Sequence, residues 1–164
     1  MNDTPAILRG AMTWDDRYRS GDYPAEPDPL VVRFVSPLPP GRALDLACGA
    51  GRHARWLAER GWEVTAVDNS REALALFPSA RFMDLEVDRL PFADASFDLV
   101  LIVRFLHRPL FAEARRIVRP GGMVIATART AGRFAVAPGE LRAAFEGMQV
   151  LHEGKGEIVA VYGA

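Results

Sequence analysis

The sequence predicts a doubly wound α/β fold, a mostly parallel sheet with helices on both faces. Three observations predict it. Short apolar runs alternate with segments of helical length along most of the chain, which is the pattern of parallel strands joined by crossover helices. The first apolar run opens through a glycine turn, ACGAG at 47–51, directly into a helix. The chain then closes with apolar runs near 148–152 and 157–162, separated by EGKGE at 153–157. That link is too short for a crossover, so the last two strands pair as an antiparallel hairpin.

Each element has a local reason. Residues 1–27 are polar and irregular, with Pro24 and Pro27 near their end; this segment is read as partly flexible or as a flap, and 28–164 as a single domain. Within it, TWDDRYRS (13–20) suits a short helix, with Thr13 as N-cap and Asp15 and Asp16 in the first turn. DPLVVRFVS starts a second helix, with Asp28 as cap and Pro29 in the first helical position, and PLPPG (37–41) stops it. Strand RALDLA (42–47) leads to helix 51–60, closed by Gly61, and strand WEVTAVD (62–68) to a short helix over 70–77, stopped by Pro78. Strand ARFMD (80–84) is followed by an irregular connection through LPFADAS. Strand FDLVLIVRF (97–105) leads to helix 110–118, ended by RPGG, and strand MVIATA (123–128) to a glycine-containing loop and helix 138–146.

Composition narrows the function. At 164 residues, 49% apolar and 25% charged, the chain has the make-up of an ordinary globular domain. No apolar run approaches the roughly 18–20 residues of a membrane span, and MNDTPAILRG at the start lacks the basic and apolar regions of a secretion signal. The expected location is the cytoplasm. One cysteine, Cys48, leaves no disulfide framework and no multi-cysteine metal site. The net charge is −1, and the basic residues, all arginine except Lys155, are scattered, which argues against a nucleic-acid partner. Arg115, Arg116 and Arg119 cluster on a helix and read as a solvated face.

The chemistry concentrates at strand ends. In an open parallel sheet, ligands bind beyond the carboxyl ends of the strands, where the winding reverses. Asp45, the 47–51 turn, Asp68 and Asp84 all fall there. Gly49 and Gly51 let the backbone approach a ligand, and the helix beginning at Gly51 aims free N–H groups at the same place. Asp68 stands seventeen residues after Gly51, where a carboxylate can accept from both hydroxyls of a ribose. GAGRHA (49–54) matches the Gly-x-Gly-x-x-Ala dinucleotide fingerprint. Three features oppose a dinucleotide. Asp45 would face the pyrophosphate, only about a hundred residues follow the helix, and a nucleotide-binding half-domain needs no closing hairpin.

Four stretches in order carry a more specific likeness. LDLACGAG resembles the first motif of class I S-adenosylmethionine-dependent methyltransferases, and VTAVDNS resembles their second. MDLEVDRLPFADASFDLVL is similar to the segment ending their third strand and forming their fourth, and EARRIVRPGGMVIATA to the helix and fifth strand that follow. The likeness covers nearly the whole chain from about residue 28. WDDRY (14–18), EPDPL (26–30), FLHRPLF (105–111) and APGELRAAF (137–145) resemble the tellurite-resistance-type methyltransferases and their uncharacterised relatives. The resemblance implies a seven-stranded sheet of order 3-2-1-4-5-7-6 with strand 7 antiparallel. Here it is a reduced version, since the helix at 70–77 has only about two turns.

The resemblance also implies roles. Asp45 would orient the methionine ammonium, with the Ala47 carbonyl and the Gly49 region lining the methionine moiety. Asp68 would hold the ribose diol, with Asn69 beside the adenine, while Asp84 and the Leu85 N–H would meet the adenine edge. Ala47 stands where the family usually has glycine, so its backbone is expected to avoid positive φ.

The other candidates keep two readings. His107 and Arg104, at or past the end of the fourth strand, are the candidate catalytic residues. His107 could take a proton from the acceptor or simply cap or pack a helix. Arg104 could bind an anionic acceptor or form a surface ion pair. Tyr18, with Trp14 and Arg17, could cover the cofactor or pack on the domain edge. Arg52 could meet the methionine carboxylate or be solvated. Cys48 fits as a small buried residue, and His53 and His152 read as structural.

The expected activity is methyl transfer from S-adenosylmethionine, giving S-adenosylhomocysteine, to a small-molecule acceptor, without metal. Two alternatives stay open: a small NAD-dependent oxidoreductase, and a non-catalytic S-adenosylmethionine-binding module. The residues leave the oligomeric state and the acceptor open.

Overall fold

The computed structural model describes residues 12–163; the expectation that the chain starts without a secretion signal rests on residues that lie outside this range. Seven strands form one sheet in the order β3-β2-β1-β4-β5-β7-β6. The strands are β1 Arg42–Leu46, β2 Glu63–Asp68, β3 Arg81–Phe82, β4 Phe97–Val103, β5 Val118–Thr127, β6 Gln149–Gly154 and β7 Glu157–Val161. β1 to β5 run parallel, and β7 lies antiparallel between β5 and β6. The expected topology is therefore the observed one. Among the described residues no helix is long and apolar enough to cross a membrane.

Among the described residues there are six helices, α1 Trp14–Ser20, α2 Pro29–Val35, α3 Arg52–Glu59, α4 Arg71–Leu76, α5 Pro109–Ile117 and α6 Glu140–Ala144. Thr13 caps α1 in a reciprocal capping box with Asp16, and Gly21 ends it in the left-handed conformation. The Asp28 side chain caps α2, with Pro29 in the first turn.

Strand alternation divides the core. Leu44, Leu46, Val100, Ile102 and Val124 pack with Phe111 and Ile117 of α5 and with Phe145 on one side. Ala43, Leu99, Leu101 and Ile125 pack with Val31 of α2 and Trp56 and Leu57 of α3 on the other. Asp45, between Leu44 and Leu46, therefore projects toward the α3 face, where it is 1% exposed.

Three local expectations need correction. β3 pairs over two residues instead of five, and Phe82 is half exposed; the edge position leaves it only β2 to pair with. β5 starts at Val118 instead of Met123: Val118 pairs with Phe97 and Met123 with Leu99, so RPGG is an outward bulge within the strand. Arg116 is not part of a solvated face. It binds Glu113 and Asp94 and the carbonyls of Leu90 and Phe92, and so ties the long β3–β4 connection to α5.

Candidate functional site

The carboxyl ends of β1, β2 and β4 frame a cavity of about 270 Å³. Its floor comes from the turn after β1. Cys48 N–H donates to the Val67 carbonyl at 3.0 Å, and Gly49 N–H to Asp68 Oδ2 at 2.8 Å, so the turn is stitched across to the end of β2. Asp68 Oδ1 accepts from Ser70 N–H at 2.7 Å. Burial raises the Asp68 pKa, while hydrogen bonds from the Gly49, Ser70 and Asn69 amides pull the other way.

The turn departs from expectation at Ala47. Its φ is +59°, so the expectation that this position avoids positive φ is wrong. The hydrogen bonds that follow it over-determine the backbone, and alanine adopts the left-handed conformation at a cost of about 1–2 kcal/mol. Gly49 follows at φ +56°, and a Cβ there would stand 2.5 Å from the Tyr18 hydroxyl. At Gly51, φ is +87° and a Cβ would meet the Phe77 ring at 2.5 Å. Side chains are excluded at both glycines.

Beneath the turn, behind the residues that line the cavity, lies Asp45. Its Oδ2 is buried and has no hydrogen-bond partner. Burial and the neighbouring Asp68 carboxylate push its pKa to about 7, against the opposing influence of Arg52 and the Ala54 N–H at the start of α3. An orphaned buried carboxylate oxygen is costly unless a donor meets it.

The roof is aromatic. Trp14 and Tyr18 of α1 stack at 5.8 Å, and Tyr18 meets Tyr23 at 5.5 Å; all three line the cavity, with Pro24. Arg19 binds Glu72 at 2.7 Å, and Asp15 accepts from the Ser70 hydroxyl at 2.5 Å, fastening α1 to α4. Tyr18 stays protonated, its pKa raised by burial and by Asp68.

The remaining candidates divide. Arg52, Asn69 and Arg104 line the cavity. The Arg52 side chain donates to the Glu26 carbonyl at 3.0 Å, its one hydrogen bond among the described residues; burial and then Arg104 lower its pKa. His107 does not line the cavity; its Nε2 lies 3.1 Å from the Val87 carbonyl. Asp84 is exposed and accepts from Glu86 N–H at 2.9 Å, while Leu85 is fully buried; both sit beyond the cavity, past β3. His53 is buried, and its Nε2 accepts from the Asp28 amide at 3.0 Å, so the ring proton sits on Nδ1. Burial and then Arg52 bring its pKa down to about 4. Burial, with Asp45 and Asp68 nearby, pushes the Cys48 thiol pKa up, which leaves it inert. Among the described residues no three His, Cys, Asp or Glu side chains cluster as metal ligands.

Reading the sequence missed Asp15, Tyr23, Pro24, Ser70, Val103 and Phe105 in the lining. The carboxyl ends of β2 and β4 were signals for Ser70, Val103 and Phe105; Asp15, Tyr23 and Pro24 arrive through the docking of α1 and its exit loop.

A family profile described as a methyltransferase domain matches residues 44–126. The chain is 36% identical over 105 residues to the demethylmenaquinone methyltransferase of Renibacterium salmoninarum, covering 58% of this chain and 44% of that protein. It is 34% identical over 136 residues to the malonyl-[acyl-carrier protein] O-methyltransferase of Pseudescherichia vulneris, covering 77% of this chain and 53% of that protein. The chain thus spans about half the length of these relatives. In fold it is similar to TehB of Haemophilus influenzae, with a TM-score of 0.73 at 16% identity, covering 90% of this chain and 67% of that one. A TehB-like S-adenosylmethionine-dependent methyltransferase of Corynebacterium glutamicum gives a TM-score of 0.61 at 23% identity, covering 92% and 93%.

Proposed function

The chain belongs to the methyltransferase-domain family, and from that premise we propose that it binds S-adenosylmethionine in the cavity under α1 and methylates a small organic acceptor. The observation that carries this reading is the orphaned Oδ2 of Asp45, buried below the glycine turn. An ammonium group reaching it past Ala47 and Cys48, which do line the cavity, would satisfy it and offset the paired negative charge of Asp45 and Asp68. A dinucleotide pyrophosphate would instead add negative charge beside two carboxylates, with Arg52 and Arg104 the cations lining that cavity.

The residues fit the cofactor in parts. Asp45 would receive the ammonium and Arg52 the methionine carboxylate. Asp68 already accepts from the Gly49 and Ser70 amides, with the Asn69 amide also acting on it, and its remaining acceptor capacity would serve the ribose diol. Asn69, which lines the cavity, would stand beside the adenine, and Asp84 and the Leu85 N–H, just beyond the cavity, are the groups that would meet its edge. Tyr18 closes over Gly49, so residues 12–27 act as the cover and 28–164 as the catalytic unit. When bound, the cofactor supplies a methyl group already activated for in-line displacement. The chain's task is then to align the two reactants and exclude water, which can supply much of the rate. Relatives named for demethylmenaquinone and for a malonyl group support an organic acceptor.

Thermal melting with S-adenosylhomocysteine, S-adenosylmethionine and NAD tests this. At a ligand concentration near 100 Kd, the native state gains about 2.7 kcal/mol, a rise of about 5–10 °C in Tm. The sulfur compounds should give that rise and NAD should not. Stabilisation by NAD alone would contradict the proposal.

A further inference from the structure

The cofactor cavity opens sideways into a trough. This trough shares Trp14 and Arg104 with the cavity, and runs past Thr127 and Arg129 to Lys155 at the tip of the β6–β7 hairpin. Beyond it, under the hairpin, is a third space of about 260 Å³ lined by Val136, Ala137, Pro138 and Leu141. The trough and this space share Thr130, Lys155, Gly156 and Glu157. Three compartments therefore follow one another: cofactor cavity, cationic trough, apolar pocket.

The trough's charge is unbalanced. Four cations line it, Arg17, Arg104, Arg129 and Lys155, against two acids, Asp28 and Glu157. Arg17 is paired with Asp22 at 3.5 Å. Asp28 uses Oδ1 to cap α2 at 2.9 Å, and Glu157 binds His152 at 3.1 Å. Among the described residues Arg104, Arg129 and Lys155 have no carboxylate partner, whereas Arg108, Arg116, Arg119 and Arg142 all do.

The placement of these cations is built into the backbone. Arg104 has φ +56°, a conformation that costs about 1–2 kcal/mol for a residue with a Cβ. It is held there because its N–H donates to both the carbonyl and the hydroxyl of Thr127, each at 3.0 Å. Strain of this kind persists where the surroundings impose it, often at a ligand site. At the other wall, Gly156 (φ +70°) lies so close to the Ala128 carbonyl that a Cβ would overlap it. The Ala128 N–H donates to the Gly156 carbonyl at 2.9 Å. The hairpin tip is thus clamped to the exit of β5, which sets Lys155 near Arg129.

We propose that the methyl acceptor is a carboxylic acid with a short apolar tail, its carboxylate held in the trough by Arg104, Arg129 and Lys155 and its tail in the Val136–Leu141 pocket. This rests on the methyltransferase reading above and names its substrate class. The order of the compartments puts the anionic head, not the tail, next to the cofactor cavity. A carboxylate oxygen then uses a lone pair to form the new C–O bond as the methyl C–S bond breaks and its electron pair returns to sulfur. The negative charge of the acceptor and the positive charge of the sulfonium cancel, the products are a methyl ester and a neutral thioether, and no proton moves. Such a reaction needs no base. That matches a cavity whose lining histidine, His53, has its acceptor nitrogen committed to Asp28, and which His107 does not line. It is also favoured by removal from water, because charge is lost on the way to products.

The test uses the protein saturated with S-adenosylhomocysteine for binding and with S-adenosylmethionine for turnover. Hexanoate is the probe, with hexanamide as its neutral counterpart and butyl phosphate as a different anion. Hexanoate should bind, hexanamide should not, and gas chromatography should detect methyl hexanoate. Arg129→Ala and Lys155→Ala should each raise the KM for hexanoate about fivefold, and together about twentyfold, the scale of exposed ion pairs. Affinity for S-adenosylhomocysteine should stay within about twofold in all three variants, since neither residue lines the cofactor cavity. The KM should also climb as salt rises. Equal binding of hexanamide, preference for butyl phosphate, or an unchanged KM in the double variant would overturn the proposal while saturable S-adenosylhomocysteine binding leaves the methyltransferase reading standing. Absence of S-adenosylhomocysteine binding would overturn both.

Discussion

Replacing Asp45 with asparagine should abolish the pH dependence that this carboxylate is proposed to give S-adenosylhomocysteine binding. The wild-type carboxylate is buried beside Asp68, and its pKa lies at about 7. An ammonium ligand needs the ionised form. With that pKa, about nine-tenths of the groups are ionised at pH 8 and about one-tenth at pH 6, so affinity for S-adenosylhomocysteine should weaken about tenfold over that range. Calorimetric titration at pH 6, 7 and 8 reads this directly. The Asp45→Asn variant retains any titration of the ligand's own amino group, so the difference between the two proteins isolates Asp45. At pH 8 the variant should bind at least tenfold more weakly, having lost a charge-assisted hydrogen bond worth about 1.5–3 kcal/mol. Stability without ligand should move the other way. The folded pKa lies above the ordinary value of 3.8, so Asp45 contributes stability that is complete below about pH 4 and lost as pH rises through about 7. The Asp45→Asn variant should therefore melt higher than wild type at pH 8, and by less at pH 5. A wild-type affinity flat from pH 6 to 8, or a variant that binds like wild type at pH 8, would refute the reasoning.

Three further substitutions separate binding from architecture. Asp68→Ala should cost at least tenfold in S-adenosylhomocysteine affinity by calorimetry, and also about 1–3 kcal/mol of stability, because the Gly49 and Ser70 amides lose their acceptors; full affinity would show that Asp68 only ties the turn to β2. His107→Ala should leave turnover within about threefold and the pH–rate profile unshifted, while freeing the Val87 carbonyl lowers stability by about 1 kcal/mol. A loss of about a hundredfold in turnover would instead restore His107 as a base. Ala47→Gly should raise Tm by about 2–4 °C, by relieving a left-handed alanine; a lower Tm would mean that the φ of +59° carries no strain.

What the sequence makes legible here is local or periodic. Thr13 with Asp16, and Asp28 with Pro29, mark helix starts through contacts a few residues apart, and both caps form. The alternation around Asp45 places it off the Leu44–Leu46 face, the succession of strands and helices carries the mostly parallel sheet and its closing hairpin, and the strand order comes from the family resemblance. The bonds that shape the cavity span larger separations. Asp68 to Gly49, Asp15 to Ser70 and His53 to Asp28 join residues 19, 55 and 25 positions apart, and nothing in the local pattern of either partner announces them. Ala47 shows the same limit. Side-chain sterics alone argue against its conformation, and the hydrogen bonds from Cys48 and Gly49 to β2 prevail. The cationic trough was visible only as Arg104 past a strand end, because the clamp between Gly156 and Ala128 that positions Lys155 joins two loops distant in sequence.

Calorimetric titration of the protein with S-adenosylmethionine, followed by competition with S-adenosylhomocysteine and with NAD, tests the central claim most directly. The arrangement of Asp45, Asp68 and the Gly49 turn predicts one site per chain, displaced by S-adenosylhomocysteine and indifferent to NAD. Silence toward both sulfur compounds, or displacement by NAD, would contradict it.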